Sequence, residues 1–363
     1  MKYLFIMTES ANVINFRKNL ITFLQEKGHS ICIIAHDNLR EKDIRDLGVD
    51  FYCVKQDNRG LNPFAILKYR KNLTKIIKKE KPDAVFTFQL KPNTFGVKAS
   101  KKAGVKNIYS MVEGLGDVYI KTGLKWKIIR TVVNKLYRSA FKVSKAVLFL
   151  NNDDKQEFIN RKLAKENKCF VINGIGVDLN HFKQKPLKNN NTVLMVARML
   201  KSKGVYEYLE CARRVKKIIP TATFNYLGAE GDISCENIKE YIDDGSVNYL
   251  GVVKDVRPYL EDATMFILPT FYREGLPMSI MEAESMGRAI ITTNSVGAKE
   301  TVVDGYNGFK VETKNVEQLV EKVTYLLENQ EKAIEMGQNS RTFAEQNFDK
   351  DKINNDIYQI INK

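Results

Sequence analysis

The stretch YREGLPMSIMEAESMGRAIITT, residues 272–293, places the carboxylates Glu274 and Glu282 eight positions apart among largely apolar residues. The apolar run just before it, residues 264–270, is typical of a strand buried on both faces. Buried carboxylates are costly unless they have partners, so solubility does not explain the pair. The alternative, that both carboxylates are simply exposed at the surface, does not fit so apolar a context.

The local structure around the two carboxylates is predicted as strand, loop, helix and strand with a parallel crossover. Pro277 can begin the helix because its missing N–H would have no partner there, and Gly287 suits the left-handed residue that ends it. Glu274 then lies in the loop after the carboxyl end of a strand, and Glu282 lies on the second turn of the helix. Ligands of open α/β sheets bind at that edge, so both carboxylates are expected to face one crevice.

Alternating strand and helix patterns run through both halves of the 363 residues, which predicts an α/β fold with two doubly wound parallel sheets. We place a first domain at residues 1–182, a second at 183–345 and a C-terminal helix at 346–363 that could pack back on the first domain. The polar segment 183–192 is the predicted linker. The predicted strands are KYLFIM, SICIIAH, DAVFTFQ, NIYSM, AVLFL and CFVI, then TVLMVAR, TFNYLG, VNYLG, MFILPT and AIITT.

The composition, 44% apolar and 28% charged, is that of a globular protein. The five cysteines form no CxxC pair, which favours a reducing compartment without a disulfide framework or zinc site. The N-terminal apolar stretch is short for a signal peptide, and no stretch approaches the roughly 20 apolar residues of a membrane span. We therefore expect a cytoplasmic location.

The net charge of +15 is unevenly distributed. Residues 1–180 carry 34 Lys and Arg against 17 Asp and Glu, whereas residues 181–363 carry 24 against 26. The first half is thus expected to meet an anionic surface or substrate.

The segment 118–152 contains eight Lys and Arg and no acidic residue. Its pattern indicates a basic amphipathic helix, which fits either a membrane surface or an ordinary helix covering a sheet. The predicted apolar face is Ile129, Val132, Val133, Leu136, Ala140 and Val143. The predicted contacts to an anionic membrane surface are Trp126, Lys127, Arg130, Arg138 and Lys142.

Two cations, Arg198 and Lys203, lie between a predicted strand and the helix that follows it. Cations that face a helix N-terminus can hold a diphosphate. In the first half, Glu113 lies in a loop with Gly114 and Gly116, whose backbone can approach a ligand closely. Glu113 is interpreted either as an acceptor-side group or as a solvated loop acid. Further candidates at the same predicted edge are Asn15, Arg17, Lys91 and Asn93.

The segments ARMLKSKG and EGLPMSIMEAESMGRAIITTNSVGAKETVVDGYNGFKV together resemble the C-terminal half of glycosyltransferase family 4. The resemblance implies a GT-B fold, in which two Rossmann-like domains face a central cleft, and transfer with retention. It implies that Glu282 binds the ribose hydroxyls of a UDP-sugar and that Glu274 binds the donor sugar. Arg198 and Lys203 would neutralise the diphosphate in place of a metal, so no metal or other cofactor is expected. The other implied donor contacts are Val253, Gly275, Leu276 and Glu300.

The first-half segments VINFRKNL, QLKPNTFGVKA and VEGLGDVY resemble a branch of that family that extends sugars on polyprenyl diphosphates. This implies transfer of GalNAc from UDP-GalNAc to undecaprenyl-diphosphate-linked diacetylbacillosamine, with an α-1,3 linkage, at the inner face of the cell membrane. Many members carry a histidine near the donor sugar, but His29, His36 and His181 lie outside the matching loops. The group that takes the acceptor proton is therefore either a leaving phosphate oxygen or Glu113.

Other function classes fit less well. No RRM, KH or helix-turn-helix pattern supports nucleic-acid binding. The first predicted strand is not followed by GxGxxG, as a nicotinamide-dependent oxidoreductase would require. The Asp-x-Asp at 349–351, which a metal-dependent transferase would need at a strand end, lies in the last helical segment. A soluble non-hydrolysing UDP-sugar epimerase shares the GT-B fold and is the alternative, although it would not explain a basic amphipathic helix.

Overall fold

The computed structural model describes residues 1–56, 62–188 and 190–362. These residues form two compact units, Met1–Ile175 with Asp351–Lys363, and Gly176–Lys350. Each unit is a parallel sheet with helices packed on both faces, which confirms the predicted fold class.

The first unit is built on a seven-stranded sheet in the order β3-β2-β1-β4-β5-β6-β7. All of its strand pairs are parallel. Its strands are β1 (Lys2–Ile6), β2 (Ser30–Ala35), β3 (Asp50–Cys53), β4 (Ala84–Phe88), β5 (Asn107–Val112), β6 (Ala146–Phe149) and β7 (Cys169–Val171). Its helices are α1 (Ser10–Phe16), α2 (Lys18–Glu26), α3 (Glu41–Arg45), α4 (Pro63–Glu80), α5 (Val97–Ala103), α6 (Asp117–Ile120), α7 (Leu124–Phe141) and α8 (Asn152–Asn160).

Successive residues of the central strands point to opposite faces of this sheet, so each face has its own apolar core. On one face Tyr3 and Phe5 pack with residues of α1, α2 and α3. On the other face Leu4 and Ile6 pack with residues of α4, α5, α7 and α8. A strand buried on both faces needs apolar residues on both sides, which is why β1 is apolar throughout its buried part, from Tyr3 to Ile6.

The second unit has a six-stranded parallel sheet in the order β10-β9-β8-β11-β12-β13. Its strands are β8 (Thr192–Val196), β9 (Thr223–Leu227), β10 (Asn248–Tyr249), β11 (Met265–Leu268), β12 (Ala289–Thr293) and β13 (Gly308–Val311). Its helices are α9 (Val205–Ile218), α10 (Lys239–Asp243), α11 (Arg257–Asp262), α12 (Met278–Ser285), α13 (Val316–Glu328) and α14 (Gln330–Asn347). The last helix of the chain, α15 (Lys350–Ile361), packs Ile353, Ile357 and Ile361 into the first unit.

The boundary between the units differs from the expected position, because residues 176–182 belong to the second unit. The backbone of Val177 forms hydrogen bonds with Phe348 and Lys350, at 2.7 and 3.1 Å. The Lys350 Nζ atom lies 2.6 Å from the Asp178 carboxylate. These contacts tie the start of the connection to the end of α14, which composition alone does not reveal.

Two edge strands, β3 and β13, were not predicted. Each has four residues, and only one residue of β3 is fully buried. An edge strand of this length has too little apolar periodicity to stand out from a loop.

No helix among the described residues combines the length and hydropathy needed to cross a membrane.

Candidate active site

Glu274 and Lys203 meet at the carboxyl edge of the second sheet. The Lys203 Nζ atom lies 2.6 Å from Glu274 Oε2, and their side chains are only 18% and 13% exposed. The Thr270 hydroxyl donates a hydrogen bond to Glu274 Oε1 at 3.1 Å. The sequence pattern predicted roles for Glu274 and Lys203 but not for Thr270. Thr270 is the last residue of the segment MFILPT, and its hydroxyl orients the Glu274 carboxylate.

The two loops that carry this ion pair follow neighbouring strands, β8 and β11. The Phe271 N–H donates to the Ser202 carbonyl at 2.8 Å, and the Thr270 hydroxyl oxygen lies 3.1 Å from the same carbonyl oxygen. Gly204 has φ +78°, and a Cβ there would lie 2.1 Å from the Pro269 carbonyl oxygen. Only glycine allows this approach, so Gly204 permits the contact that brings Lys203 to Glu274.

Glu282 lies on the second turn of α12, where burial raises its pKa to about 7. Its side chain is partly exposed at the surface of the unit. Two positions further on, Glu284 is completely buried and accepts a hydrogen bond from Asn307 at 2.8 Å. Burial raises the pKa of Glu284 well above its usual range, against the opposing effect of that hydrogen bond. Glu284 is thus a structural acid, whereas Glu282 can reach a ligand.

The loop after β12 packs directly on the loop that carries Glu274. Gly297 has φ +85°, and a Cβ there would lie 2.3 Å from the Gly275 carbonyl oxygen. Gly275 is buried, and Leu276 packs against the cluster around Met281. Glu300 follows in a short 3₁₀ turn and is half-buried. Gly275, Leu276 and Glu300 are therefore brought together on neighbouring loops.

Arg198 and Val253 lie at the ends of other strands in this sheet. Arg198 follows β8 by two positions and its side chain is exposed. Val253 follows β10 and packs partly against the core of the second unit. The loops after β8, β10, β11 and β12 all leave one edge, because every strand of the sheet is parallel.

In the first unit, Glu113 follows β5 and pairs with the guanidinium of Arg17. Arg17 is buried and lies 4.6 Å from the centre of the Phe88 ring. Burial lowers the pKa of the Arg17 guanidinium, and the carboxylate supplies the charge that a buried cation requires. The Arg17 guanidinium therefore points at Glu113. It is not exposed as the separate diphosphate contact that the sequence suggested.

Gln89 is a further partner of Glu113 that the sequence interpretation did not single out. Its Nε2 atom donates to Glu113 Oε2, and its Oε1 atom accepts from the Thr8 N–H and hydroxyl at 3.2 and 3.3 Å. Gln89 has φ 64°, a conformation that is unusual for a residue with a side chain. Such outliers often mark functional sites, and its position directly after β4 was the available signal.

The remaining candidates of the first unit lie in different environments. Asn93 is fully buried; its Oδ1 atom accepts a hydrogen bond from the Thr87 hydroxyl and its Nδ2 atom donates one to the Met111 carbonyl, both at 2.7 Å, so it joins β4 to β5. Lys91 is also buried, whereas Asn15 is exposed on α1. Gly114 and Gly116 have φ 132° and 54°, as expected of a loop that needs glycine.

Sequence comparisons agree with this division of the chain. Residues 177–343 match the model of the family described as Glycosyl transferases group 1, and residues 4–151 match Glycosyl transferase 4-like. The N,N'-diacetylbacillosaminyl-diphospho-undecaprenol alpha-1,3-N-acetylgalactosaminyltransferase of Campylobacter jejuni is 33% identical over 351 residues, which are 93% of this chain and 92% of that protein. The chain belongs to this family of glycosyltransferases. The UDP-Gal:alpha-D-GlcNAc-diphosphoundecaprenol alpha-1,3-galactosyltransferase of Escherichia coli is 28% identical over 315 residues. These are 82% of this chain and 80% of the Escherichia coli protein.

Solved structures share the fold of the transferase. A glycosyltransferase from Rickettsia africae superposes with a TM-score of 0.79 at 22% identity, covering 99% of this chain and 98% of that one. Anabaena Alr3699/HepE in complex with UDP and glucose gives a TM-score of 0.81 at 17% identity, with 100% and 99% coverage. These likenesses confirm the GT-B fold expected from the sequence.

The basic helix α7 of the transferase turns the predicted apolar face towards its own sheet. Val133 and Ala140 are buried, and Ile129, Leu136 and Val143 pack against the same core. The apolar residues that α7 leaves exposed form a different line, namely Leu124, Ile128 and Val132 at 75%, 58% and 47%. The assignment of Val132 to the covered face was wrong, because the helix is rotated so that Tyr137 and Phe141 fill that core.

The predicted membrane residues of α7 divide into two groups. Lys127 and Lys142 are exposed. Arg130 instead donates to the carbonyls of Val118 and Lys121, both at 2.8 Å, and Arg138 donates to the carbonyls of Arg161 and Lys162, both at 3.0 Å. Trp126 is half-buried. Arg130 and Arg138 therefore also hold neighbouring turns in place, although Arg138 is exposed, and their contact with a membrane stays a prediction.

Proposed function

We propose that the transferase moves GalNAc, with retention, from UDP-GalNAc to undecaprenyl-diphosphate-linked diacetylbacillosamine and forms an α-1,3 linkage. The observation that carries this proposal is the match of nearly full length to the Campylobacter jejuni enzyme of that activity. The Escherichia coli relative also acts on a sugar linked to diphosphoundecaprenol, as its name states. The shared acceptor class supports a polyprenyl diphosphate as the carrier.

The donor site of this proposal is the carboxyl edge of the second sheet. Glu282 accepts hydrogen bonds from the ribose hydroxyls, which offset the desolvation of a half-buried carboxylate. Glu274 binds the donor sugar and stabilises the positive charge that develops at the anomeric carbon. The Lys203 ammonium, 2.6 Å from the Glu274 carboxylate, balances the diphosphate charge together with the exposed Arg198.

The acceptor is proposed to approach the loop that carries Glu113 in the first unit. Because Glu113 is paired with Arg17 and bonded by Gln89, it is held as a carboxylate in one orientation. Both oxygens of the Glu113 carboxylate are already engaged, Oε1 by Arg17 and Oε2 by Gln89. We therefore favour a leaving phosphate oxygen as the group that takes the acceptor proton, with Glu113 positioning the acceptor sugar.

The proposed location is the cytoplasmic face of the cell membrane, with the transferase bound at its surface. The acceptor's hydrocarbon tail stays in the bilayer, so the enzyme has to come to it. The concentration of positive charge in residues 1–180 supports contact with an anionic leaflet.

A transfer assay tests the proposal. UDP-sugars carrying a radiolabel are combined with undecaprenyl-diphosphate-linked saccharides, and the extracted lipid is counted. The expected result is label transfer from UDP-GalNAc to the diacetylbacillosamine lipid, with an α-1,3 linkage in the product. Transfer to another lipid-linked sugar would correct the acceptor, whereas UDP-sugar epimerisation without transfer to any acceptor would contradict the proposal.

A further inference from the structure

A groove of about 940 Å³ lies in the first unit between α4 and the carboxyl ends of β2 and β3. One side of α4 lines it with Lys68, Lys75 and Lys79, and the loop after β3 adds Lys55. These α4 positions are separated by seven and four residues, so their side chains follow one face of the helix. The groove is outside the donor and acceptor sites described above.

Among the residues that the structure describes, the lysines of this groove outnumber the acidic groups that neutralise them. Lys79 donates to the Tyr52 hydroxyl at 2.9 Å, and its Nζ atom lies 3.9 Å from the Glu80 carboxylate. Lys55, Lys68 and Lys75 form no ion pair with any residue that the structure describes. Asp37 is the one acidic residue among the described lining residues, and it already accepts hydrogen bonds from Ser10 and from the Leu39 N–H. The groove is thus suited to an anionic ligand.

Exposed apolar side chains border the lysines at the start of α4. Phe64 is 82% exposed and Leu67 is 58% exposed, within the first turns of the helix. On α7, which packs on the same face of the sheet, Leu124, Ile128 and Val132 are exposed as well. Both helices begin at the carboxyl edge of the sheet, because each follows a strand of the parallel array.

A binding surface with clustered cations beside exposed apolar residues matches an amphiphile better than a free nucleotide. Phosphate would bind the ammonium groups, while acyl chains would cover Phe64 and Leu67, which water would otherwise contact. The geometry points to the α4 groove as a binding site for the phosphate of an anionic membrane phospholipid. It rests on the proposed function only in that a lipid-linked acceptor requires the transferase to work at a bilayer.

Vesicle co-sedimentation of the full-length protein tests this site. The probes are vesicles of phosphatidylcholine alone and of phosphatidylcholine with phosphatidylglycerol. Wild-type protein is expected to bind only the anionic vesicles. Lys68→Gln with Lys75→Gln should weaken that binding about thirty-fold, since each lysine near an anionic surface contributes about 1 kcal/mol. Phe64→Ser with Leu67→Ser should weaken it at least about ten-fold.

The matched control is Lys102→Gln with Lys106→Gln, which removes the same charge from exposed lysines at the opposite edge of the sheet. This control should bind anionic vesicles nearly as well as wild type. An equal loss in the control would show that overall charge alone is responsible, and unchanged binding by the groove variant would exclude the site; either result overturns the inference.

Two more measurements are needed. One distinguishes a lipid phosphate from a free phosphate, and the other distinguishes failure of the groove site from failure of the proposed transfer activity. If inorganic pyrophosphate binds the groove tightly while the Phe64/Leu67 variant keeps its vesicle binding, the ligand is a free phosphate and the lipid assignment is wrong. UDP affinity by calorimetry should be equal in all variants. If no lipid-linked acceptor is glycosylated but the groove variant still loses vesicle binding, the proposed function fails and this inference stands.

Discussion

At the scale of single residues, the transferase has two glutamates on α12 with different environments. Glu284 is completely buried and bonded to Asn307, whereas Glu282 is partly exposed with a pKa raised by burial to about 7. A carboxylate that has lost most of its water but is still accessible can accept hydrogen bonds from the hydroxyl groups of a ligand. This difference arises from helix geometry, because positions two apart point in different directions.

The raised pKa of Glu282 makes stability depend on pH. Between about pH 4.5 and 7 the folded protein holds a proton that the unfolded chain has lost, so the free energy of unfolding falls as pH rises through this range. We expect Glu282→Gln to raise the free energy of unfolding above pH 7 by on the order of 1–3 kcal/mol. Urea unfolding of wild type and variant from pH 4.5 to 8 measures this, and equal stability at pH 8 would contradict it.

Removal of the Glu282 carboxylate is also expected to weaken the donor complex. Glu282→Ala leaves the ribose hydroxyls without acceptors, at a cost of roughly 1–3 kcal/mol in UDP binding. Isothermal titration with UDP gives the affinity directly. The control is Glu312→Ala, an exposed carboxylate in the same unit, which should leave UDP affinity unchanged. Equal affinities for wild type and Glu282→Ala would argue against the ribose assignment.

At the scale of elements, loops from adjacent strands are joined by close backbone contacts. Gly204 lets the loop after β8 meet Pro269, and Gly297 lets the loop after β12 meet Gly275. These contacts place Lys203 and Glu274 side by side. The glycines therefore act as structural requirements of the proposed donor site, although they carry no chemistry of their own.

A pair of alanine substitutions separates the close contact at Gly297 from the effect of its backbone angle. Gly297→Ala adds a Cβ 2.3 Å from the Gly275 carbonyl oxygen, whereas Gly305, with a similar φ of +77°, has no atom within 4 Å of its Cβ position. We expect Gly305→Ala to cost about 1 kcal/mol and Gly297→Ala about 3 kcal/mol or more. Unfolding midpoints and UDP titration measure both effects, and equal losses would show that the contact is unimportant.

At the scale of the whole molecule, charge and chemistry are divided between the two halves of the chain. The first half carries the positive excess, and the second half is close to neutral. The second unit is therefore suited to local ion pairs such as Lys203 with Glu274, while the first unit is suited to an extended anionic surface. The proposed binding of the first unit to an anionic membrane should weaken as salt increases.

The proposed use of Arg198 and Lys203 at the diphosphate predicts that turnover needs no divalent metal. Two fixed cations at the departing diphosphate supply the charge stabilisation that a metal supplies in other transferases. We expect initial rates to be unchanged after dialysis against EDTA. Loss of activity on chelation, followed by recovery with Mg²⁺ or Mn²⁺, would contradict the assigned roles.

The amino-acid sequence by itself determined the fold class, most of the strands and the unit from Tyr272 to Thr293, because hydrophobic periodicity and turn residues act over short distances along the chain. Only the tertiary structure decided which charged groups meet. Arg17 and Glu113, or Lys203 and Glu274, are far apart in sequence and become neighbours through strand order. It also decided which apolar residues of α7 are buried, since Tyr137 and Phe141 fill the core on that side of the sheet and Val132 is left exposed.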